Sequence, residues 1–155
     1  WAGHFLSPDD AYRLGTQLKS FNLRFKQHCK NALVIANYLE NHPKVERVLY
    51  PGLKSHQTHN KAVNLLKNNG FGGIITFDIK GDSNEDKREK CNTFIEALSN
   101  DIPLIPTLGE AETILLPVEP VWGAKYPLPG FIRLSVGIED SKNIISYLEK
   151  GLKTL

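Results

Sequence analysis

An arginine inside an apolar stretch is the residue of this chain best suited to chemistry. Arg133 lies in the run FIRLSV at positions 131–136. Alternate residues of a strand face opposite sides, so the apolar residues share one face and Arg133 lies on the other. The apolar face comprises Ile132, Leu134 and Val136. A guanidinium presents a planar fork of N–H donors that matches a carboxylate, which makes Arg133 a candidate for binding an amino-acid carboxylate.

The alternative for Arg133 is a purely structural ion pair within the domain. Glu112 and Glu139 are the acids that the sequence offers as partners. Structural ion pairs outnumber arginines that bind ligands, so the pattern alone favours the structural interpretation and leaves ligand binding open.

Composition excludes several classes of partner. The 155 residues contain 19 Lys and Arg against 17 Asp and Glu, a net charge of +2, with the charges interleaved along the chain. Such a balance gives no basic patch for nucleic acid or a membrane surface. No apolar run reaches the roughly 20 residues of a membrane span, and no signal peptide opens the chain. We therefore expect a cytoplasmic protein with neither nucleic acid nor membrane as a partner.

The cysteines and histidines predict neither a disulfide framework nor a metal site. Cys29 and Cys91 lie far apart on predicted helices, which is typical of buried reduced thiols. His56 and His59 are three residues apart on a predicted helix but lack an acidic or cysteine partner, so no metal is expected. The chain begins with Trp1 and contains no Met, which indicates a piece of a longer protein.

The pattern of helices and strands predicts one α/β domain over residues 1–155. A long connecting helix is expected over about 8–41, beginning at Ser7-Pro8 and ending before Pro43, with Gly15 as a weak point. A two-layer sandwich, with a small mixed or antiparallel sheet covered by helices, is expected over about 42–155. Its predicted strands include 45–49, 74–79, 113–116 and the strand of Arg133. Its predicted helices are one capped by Ser55 and running to 69–70, one over 84–98 and one capped by Asp140 or Ser141.

Several motifs, in order, resemble the pyridoxal-phosphate-dependent enzymes of cysteine and methionine metabolism. This family comprises cystathionine synthases and lyases, O-acylhomoserine sulfhydrylases and methionine γ-lyase. The motifs are LSPDDA at 6–11, LRF at 23–25 with His28, HPKV at 42–45, YPGL at 50–53, GFGG at 70–73 and IRLSVGIED at 132–140. The resemblance is to the C-terminal, substrate-side domain of such fold type I enzymes.

The resemblance implies particular roles for two residues. Arg133 matches the arginine that binds the substrate α-carboxylate, and Thr107 matches a serine that helps to orient the substrate. It also implies pyridoxal phosphate as cofactor, an amino-acid substrate, and a parent that assembles as a dimer or tetramer. No lysine in this chain lies in the family's Schiff-base motif, so we expect the 155 residues alone to be inactive and to bind the cofactor only with the rest of the chain.

Two departures from the family pattern concern the substrate entrance. Thr107 keeps the hydroxyl of the usual serine but adds a methyl group that restricts χ1. Residues 117–130 form a short proline-rich segment where the family has a longer one with a short helix. Trp122 and Tyr126 in this segment are candidates for an apolar wall, or they pack the loop onto the domain.

Three other functions remain open from the sequence. The chain is alternatively a non-catalytic amino-acid-binding domain, an oligomerisation domain, or part of another fold type I enzyme such as an aminotransferase, because an arginine clamp is shared across that fold. The sequence does not choose between synthase, lyase and sulfhydrylase.

Overall fold

The computed structural model describes residues 5–67, 69–123 and 128–155. Five helices and four strands are described. In chain order they are α1 (Pro8–Glu40), β1 (Val45–Leu49), α2 (His59–Leu66), β2 (Ile74–Ile79), α3 (Asn84–Ala97), β3 (Ile114–Pro117), α4 (Val118–Trp122), β4 (Phe131–Ser135) and α5 (Ser141–Lys153).

The four strands form one antiparallel sheet in the order β1-β2-β4-β3. Helices α1 and α3 pack on one face of it, and α5 packs on both helices. The α/β sandwich predicted from the sequence is confirmed, with an antiparallel sheet. Since β4 lies between β2 and β3, Arg133 is carried by a central strand whose backbone is bonded on both sides.

The core lies between the sheet and the helices, and it fixes which way Arg133 faces. The predicted apolar face of β4 packs into this core together with the alternate residues of β2. These residues are Ile132, Leu134, Val136, Ile75, Phe77 and Ile79. Arg133 therefore lies on the opposite, outer face, which α4 and the loop 105–113 cover in part.

Helix α1 is a single 33-residue helix. Ser7 Oγ accepts a hydrogen bond from the Asp10 backbone N–H (3.1 Å), and Pro8 occupies the first position, as the sequence predicted. The helix passes through Gly15 without a break. No helix in the described ranges has the combination of length and apolar character needed to span a membrane.

Two local predictions are wrong. Ser55 does not cap a helix: its hydroxyl donates to Glu40, and α2 begins only at His59, so His56 lies in the preceding turns. The proline-rich segment is not wholly a loop, because it contains α4. Pro120 is the third residue of α4, and the backbone N–H groups of the first turn have no acceptor within the helix, so the N–H that proline lacks is not needed there.

Candidate functional site

Arg133 is a buried arginine whose hydrogen-bonding capacity is only partly used. Its side chain is on the outer face of β4, and the residue is 9% exposed. Nη2 donates to the carbonyl oxygen of Thr107 at 2.7 Å. Nε is buried and has no hydrogen-bond partner among the described residues. The guanidinium thus retains donors for a further acceptor.

Neither acid considered in the sequence forms an ion pair with Arg133. Both carboxylate oxygens of Glu139 are bound to Thr113, and Glu112 is exposed. None of the ion pairs found among the described residues includes Arg133. Burial without such a partner lowers the pKa of Arg133 below its ordinary value, although an arginine remains charged at neutral pH. A buried guanidinium that retains free donors is a candidate group for binding an anion.

Arg133 opens onto a cleft of about 360 Å³ whose other walls are mostly apolar. The cleft is lined by Leu49, Thr76, Val118, Trp122, Leu128 and Arg133. Thr76 is the direct cross-strand partner of Arg133 on β2, so both side chains stand on the same face. The Trp122 ring lies over the guanidinium, with its centroid 5.6 Å from Cζ, within the range of a cation–π contact.

Thr107 reaches Arg133 through its backbone. The carbonyl accepts the guanidinium N–H, whereas the residue itself is exposed and lines a neighbouring cleft of about 410 Å³ with Glu110 and Glu112. The Gly109 N–H donates to Ser135 Oγ (3.2 Å), which ties the same loop to β4 at a second point. The structure therefore brings the two predicted site residues together, with a carbonyl rather than a hydroxyl as the contact.

A latch between the loop and the segment after β4 holds this arrangement in place. Glu139 accepts from the Thr113 N–H (2.5 Å) and hydroxyl (3.0 Å), and Thr113 Oγ1 accepts from the Gly137 N–H (2.9 Å). A Cβ at Gly137 would lie 2.4 Å from the carbonyl oxygen of Ala111, so the close approach of the two segments requires glycine.

Comparison with known proteins identifies the family. The model for "Cys/Met metabolism PLP-dependent enzyme" matches residues 1–153. The chain belongs to this family. It is 34% identical over 165 residues to L-methionine gamma-lyase of Fusobacterium nucleatum subsp. polymorphum, covering 99% of this chain and 39% of that protein. It is 37% identical over 155 residues to cystathionine beta-lyase of Coxiella burnetii, covering 97% and 39% respectively.

The fold is likewise that of the family. The solved O-acetylhomoserine sulfhydrylase of Wolinella succinogenes superposes with a TM-score of 0.86 at 27% identity, covering 97% of this chain and 40% of that one. The chain thus spans about 39% of the length of the curated relatives it matches. The resemblance inferred from the motifs is confirmed.

The lining of the cleft around Arg133 suits an anion such as a carboxylate and does not fit the family's cofactor. Pyridoxal phosphate needs a lysine for its Schiff base, and none of the described residues lining the cleft is a lysine. The described residues also contain no group of three His, Cys, Asp or Glu side chains placed to hold a metal ion. The described residues of the cleft provide a guanidinium and a mostly apolar wall, and the sheet and its loops hold both in place.

Sequence reasoning missed Thr76 and Leu49 as residues of the cleft. Both lie on the outer face: Thr76 is the cross-strand partner of Arg133, and Leu49 is the partner of Thr76 on the next strand. The alternation in β2, which places Thr76 opposite the core-facing Ile75 and Phe77, was the signal that could have identified Thr76. Tyr126, the other aromatic residue of the predicted wall, lies outside the described residues.

Proposed function

We propose that this chain is the substrate-side C-terminal domain of a pyridoxal-phosphate enzyme that performs β- or γ-elimination or replacement on a sulfur amino acid or an O-acylated homoserine. In the complete protein the cofactor would supply the electron sink. In this chain, Arg133 would bind the α-carboxylate and so orient the bonds at Cα. Thr107 would assist by orienting Arg133 and the substrate. The 155 residues alone would be inactive.

The observation that carries the proposal is the unsatisfied guanidinium of Arg133. It is buried, its Nε has no partner among the described residues, and it faces a cleft whose described lining contains no carboxylate. A carboxylate in this cleft would complete the missing hydrogen bonds and neutralise the charge.

The test compares arginine variants in the intact holoenzyme. The substrate would be whichever of L-methionine, L-cystathionine and O-acetyl-L-homoserine is turned over fastest. Arg133→Leu should raise its KM at least about 100-fold, because two charge-assisted hydrogen bonds of about 1.5–3 kcal/mol each are lost. Arg133→Lys should raise KM less, since it keeps the charge but loses the planar fork.

Arg47 offers a matched control on the edge strand β1, which β2 separates from β4. It lies on the same outer face, but it is paired with Asp78 (3.5 Å) and lines a different cleft. Arg47→Leu should leave KM within about twofold of the unchanged protein. An unchanged KM in Arg133→Leu would refute the carboxylate role. Product analysis would also separate elimination or replacement from transamination.

We also propose that the rest of the parent chain covers the exposed half of α1, and that the parent is a cytoplasmic homo-oligomer. The apolar stripe that α1 buries in the core continues towards its N-terminus through Leu14, Leu18 and Phe21, which are about half exposed. The part of the parent chain that corresponds to the remaining length of the relatives would cover this stripe.

The two free, buried cysteines suit a reducing compartment, which supports the proposed cytoplasmic location.

A further inference from the structure

The segment that follows β4 is held by side chains of α1. His28 Nδ1 lies 2.6 Å from the carbonyl oxygen of Val136, and because a carbonyl only accepts, Nδ1 carries the proton. Asn31 Nδ2 donates to two further carbonyl oxygens, those of Gly137 (3.0 Å) and Glu139 (2.7 Å). Three hydrogen bonds from one helix therefore fix residues 136–139, which we call the β4 exit.

These contacts are buried and preorganised. His28 and Asn31 are 8% and 2% exposed. Gln27 Nε2 donates to Asn31 Oδ1 (2.8 Å), which directs the Asn31 amide N–H groups towards the β4 exit. Removing the donors would leave carbonyl groups without partners in a place that water reaches poorly, so the backbone would have to move.

The β4 exit in turn holds the loop that contacts Arg133. The Ile138 N–H donates to the carbonyl oxygen of Ala111 (2.8 Å), and Thr113 is latched to Gly137 and Glu139 as described above. The strand that carries the guanidinium and the loop whose carbonyl orients it are thus anchored on the same four residues. Neither His28 nor Asn31 lines the cleft around Arg133.

We propose that His28 and Asn31 are positioning residues that act on the substrate through Arg133. This inference rests on the carboxylate role proposed for Arg133. A displacement of the β4 exit shifts both the strand and the loop, and so moves the guanidinium away from the position in which it would bind the carboxylate. Helix α1 thereby becomes part of the substrate-binding apparatus without touching the substrate.

The experiment uses the intact holoenzyme and a pair of His28 variants. His28→Leu removes the donor and should raise the KM of the amino-acid substrate about tenfold, with kcat changed less than about threefold. His28→Asn should restore most of the lost affinity, because its side-chain N–H can occupy the place of Nδ1. The amine 3-(methylthio)propylamine lacks a carboxylate, so its competitive Ki should be the same in the unchanged protein and in both His28 variants.

Two further variants protect the test against a general loss of structure. Gln27→Leu leaves the buried donors in place but frees the Asn31 amide, and should raise KM about two- to threefold. Tyr38→Phe removes a different contact of α1, the hydroxyl bond to Glu149 on α5, and should leave KM unchanged. The inference would be overturned if Tyr38→Phe raised KM as much as His28→Leu does. It would also be overturned if the Ki of the amine rose together with KM, because His28 would then have only a structural role.

A double variant separates this inference from the proposed function. If His28 acts through Arg133, adding His28→Leu to Arg133→Leu should raise KM no further, whereas independent effects would multiply and would contradict the inference. If Arg133→Leu alone leaves KM unchanged, the carboxylate role fails, and the inference fails with it. If Arg133→Leu raises KM but neither His28→Leu nor Gln27→Leu does, only the positioning role fails.

Discussion

Arg133 illustrates how a single buried side chain can indicate function. An arginine that stabilises a fold is normally paired with a carboxylate, as Arg88 is with Glu119 at 2.8 Å. Arg133 is more deeply buried than Arg88, yet it has a carbonyl and an aromatic ring for neighbours. Burying a charge without a carboxylate partner costs free energy, which supports the carboxylate ligand proposed for Arg133.

The side chain of Thr107 gives a prediction at the scale of one residue. If its hydroxyl orients the substrate, Thr107→Val should raise KM about fivefold, because one neutral hydrogen bond of about 1 kcal/mol is lost. Thr107→Ser should leave KM unchanged, since it keeps the hydroxyl. Both variants keep the carbonyl that accepts from Arg133. Steady-state kinetics of the intact enzyme would decide, and identical KM values in both variants would assign the role of Thr107 to its backbone alone.

The sequence was sufficient to find Arg133 but not its surroundings. Alternation in β4 placed the guanidinium on the outer face, and the role proposed for it comes from the family motif around it. Its neighbour Trp122 and the carbonyl of Thr107 depend on how α4 and the loop 105–113 cross the sheet. Loop paths are set by long-range contacts, such as the latch at Glu139, which have no periodic signature in the sequence.

At the scale of elements, periodicity predicted what packs on the core. Helices α1, α3 and α5 and the strand β2 follow the expected spacing, and Asp140 caps α5 by accepting from the Lys142 N–H (2.9 Å). The predicted start of α2 was wrong because Ser55 has the hydroxyl of a typical N-cap residue. In the folded chain that hydroxyl donates to Glu40 instead. Helix α4 was missed because its proline lies in the first turn, where proline is tolerated.

Helix α1 carries a prediction about its exposed half. Leu18 lies on the same stripe as the core-facing residues of α1, whereas Leu23 lies on the opposite side of the helix and is 74% exposed. In the intact protein Leu18→Asp should lower the free energy of unfolding by about 1.5–3 kcal/mol, the value for burying one leucine. Leu23→Asp should change it by less than about 0.5 kcal/mol.

Urea denaturation of the intact protein would measure both leucine variants. Equal stabilities of the Leu18→Asp and Leu23→Asp proteins would mean that no part of the parent chain covers the stripe. A loss confined to Leu18→Asp would support the proposed packing of α1 against the rest of the chain.

At the scale of the whole molecule, carboxylates join elements that are distant in sequence. Glu46 on β1 pairs with Lys87 on α3, Glu119 on α4 with Arg88 on α3, and Glu149 on α5 with the Tyr38 hydroxyl on α1. The hydrogen bonds from Lys87, Arg88 and Tyr38 lower the pKa of the respective glutamates below the ordinary 4.5. Elements that are distant in sequence are therefore connected by groups that titrate in acid.

Because these pKa values are lower in the folded protein than in the unfolded chain, the folded state binds fewer protons in acid. The stabilisation is fully present above about pH 4.5 and is lost as the pH falls through the lowered values. The Tm should thus be nearly constant from about pH 7 to pH 5 and should fall below pH 4.5. Glu119→Gln should lower the Tm at pH 7 and make it less dependent on pH, so that the two melting curves converge in acid.

Glu85 provides the control for this prediction. It contacts the guanidinium of Arg88 (3.2 Å), but both residues lie on α3, so this pair does not connect two elements. An exposed pair within one helix contributes little, so Glu85→Gln should leave both the Tm at neutral pH and its decrease in acid nearly unchanged. Thermal melts from pH 7 to pH 3 would compare the three proteins. If Glu119→Gln and the unchanged protein lost the same Tm between pH 5 and pH 3, the bond from α4 to α3 would not be among the contacts that acid breaks.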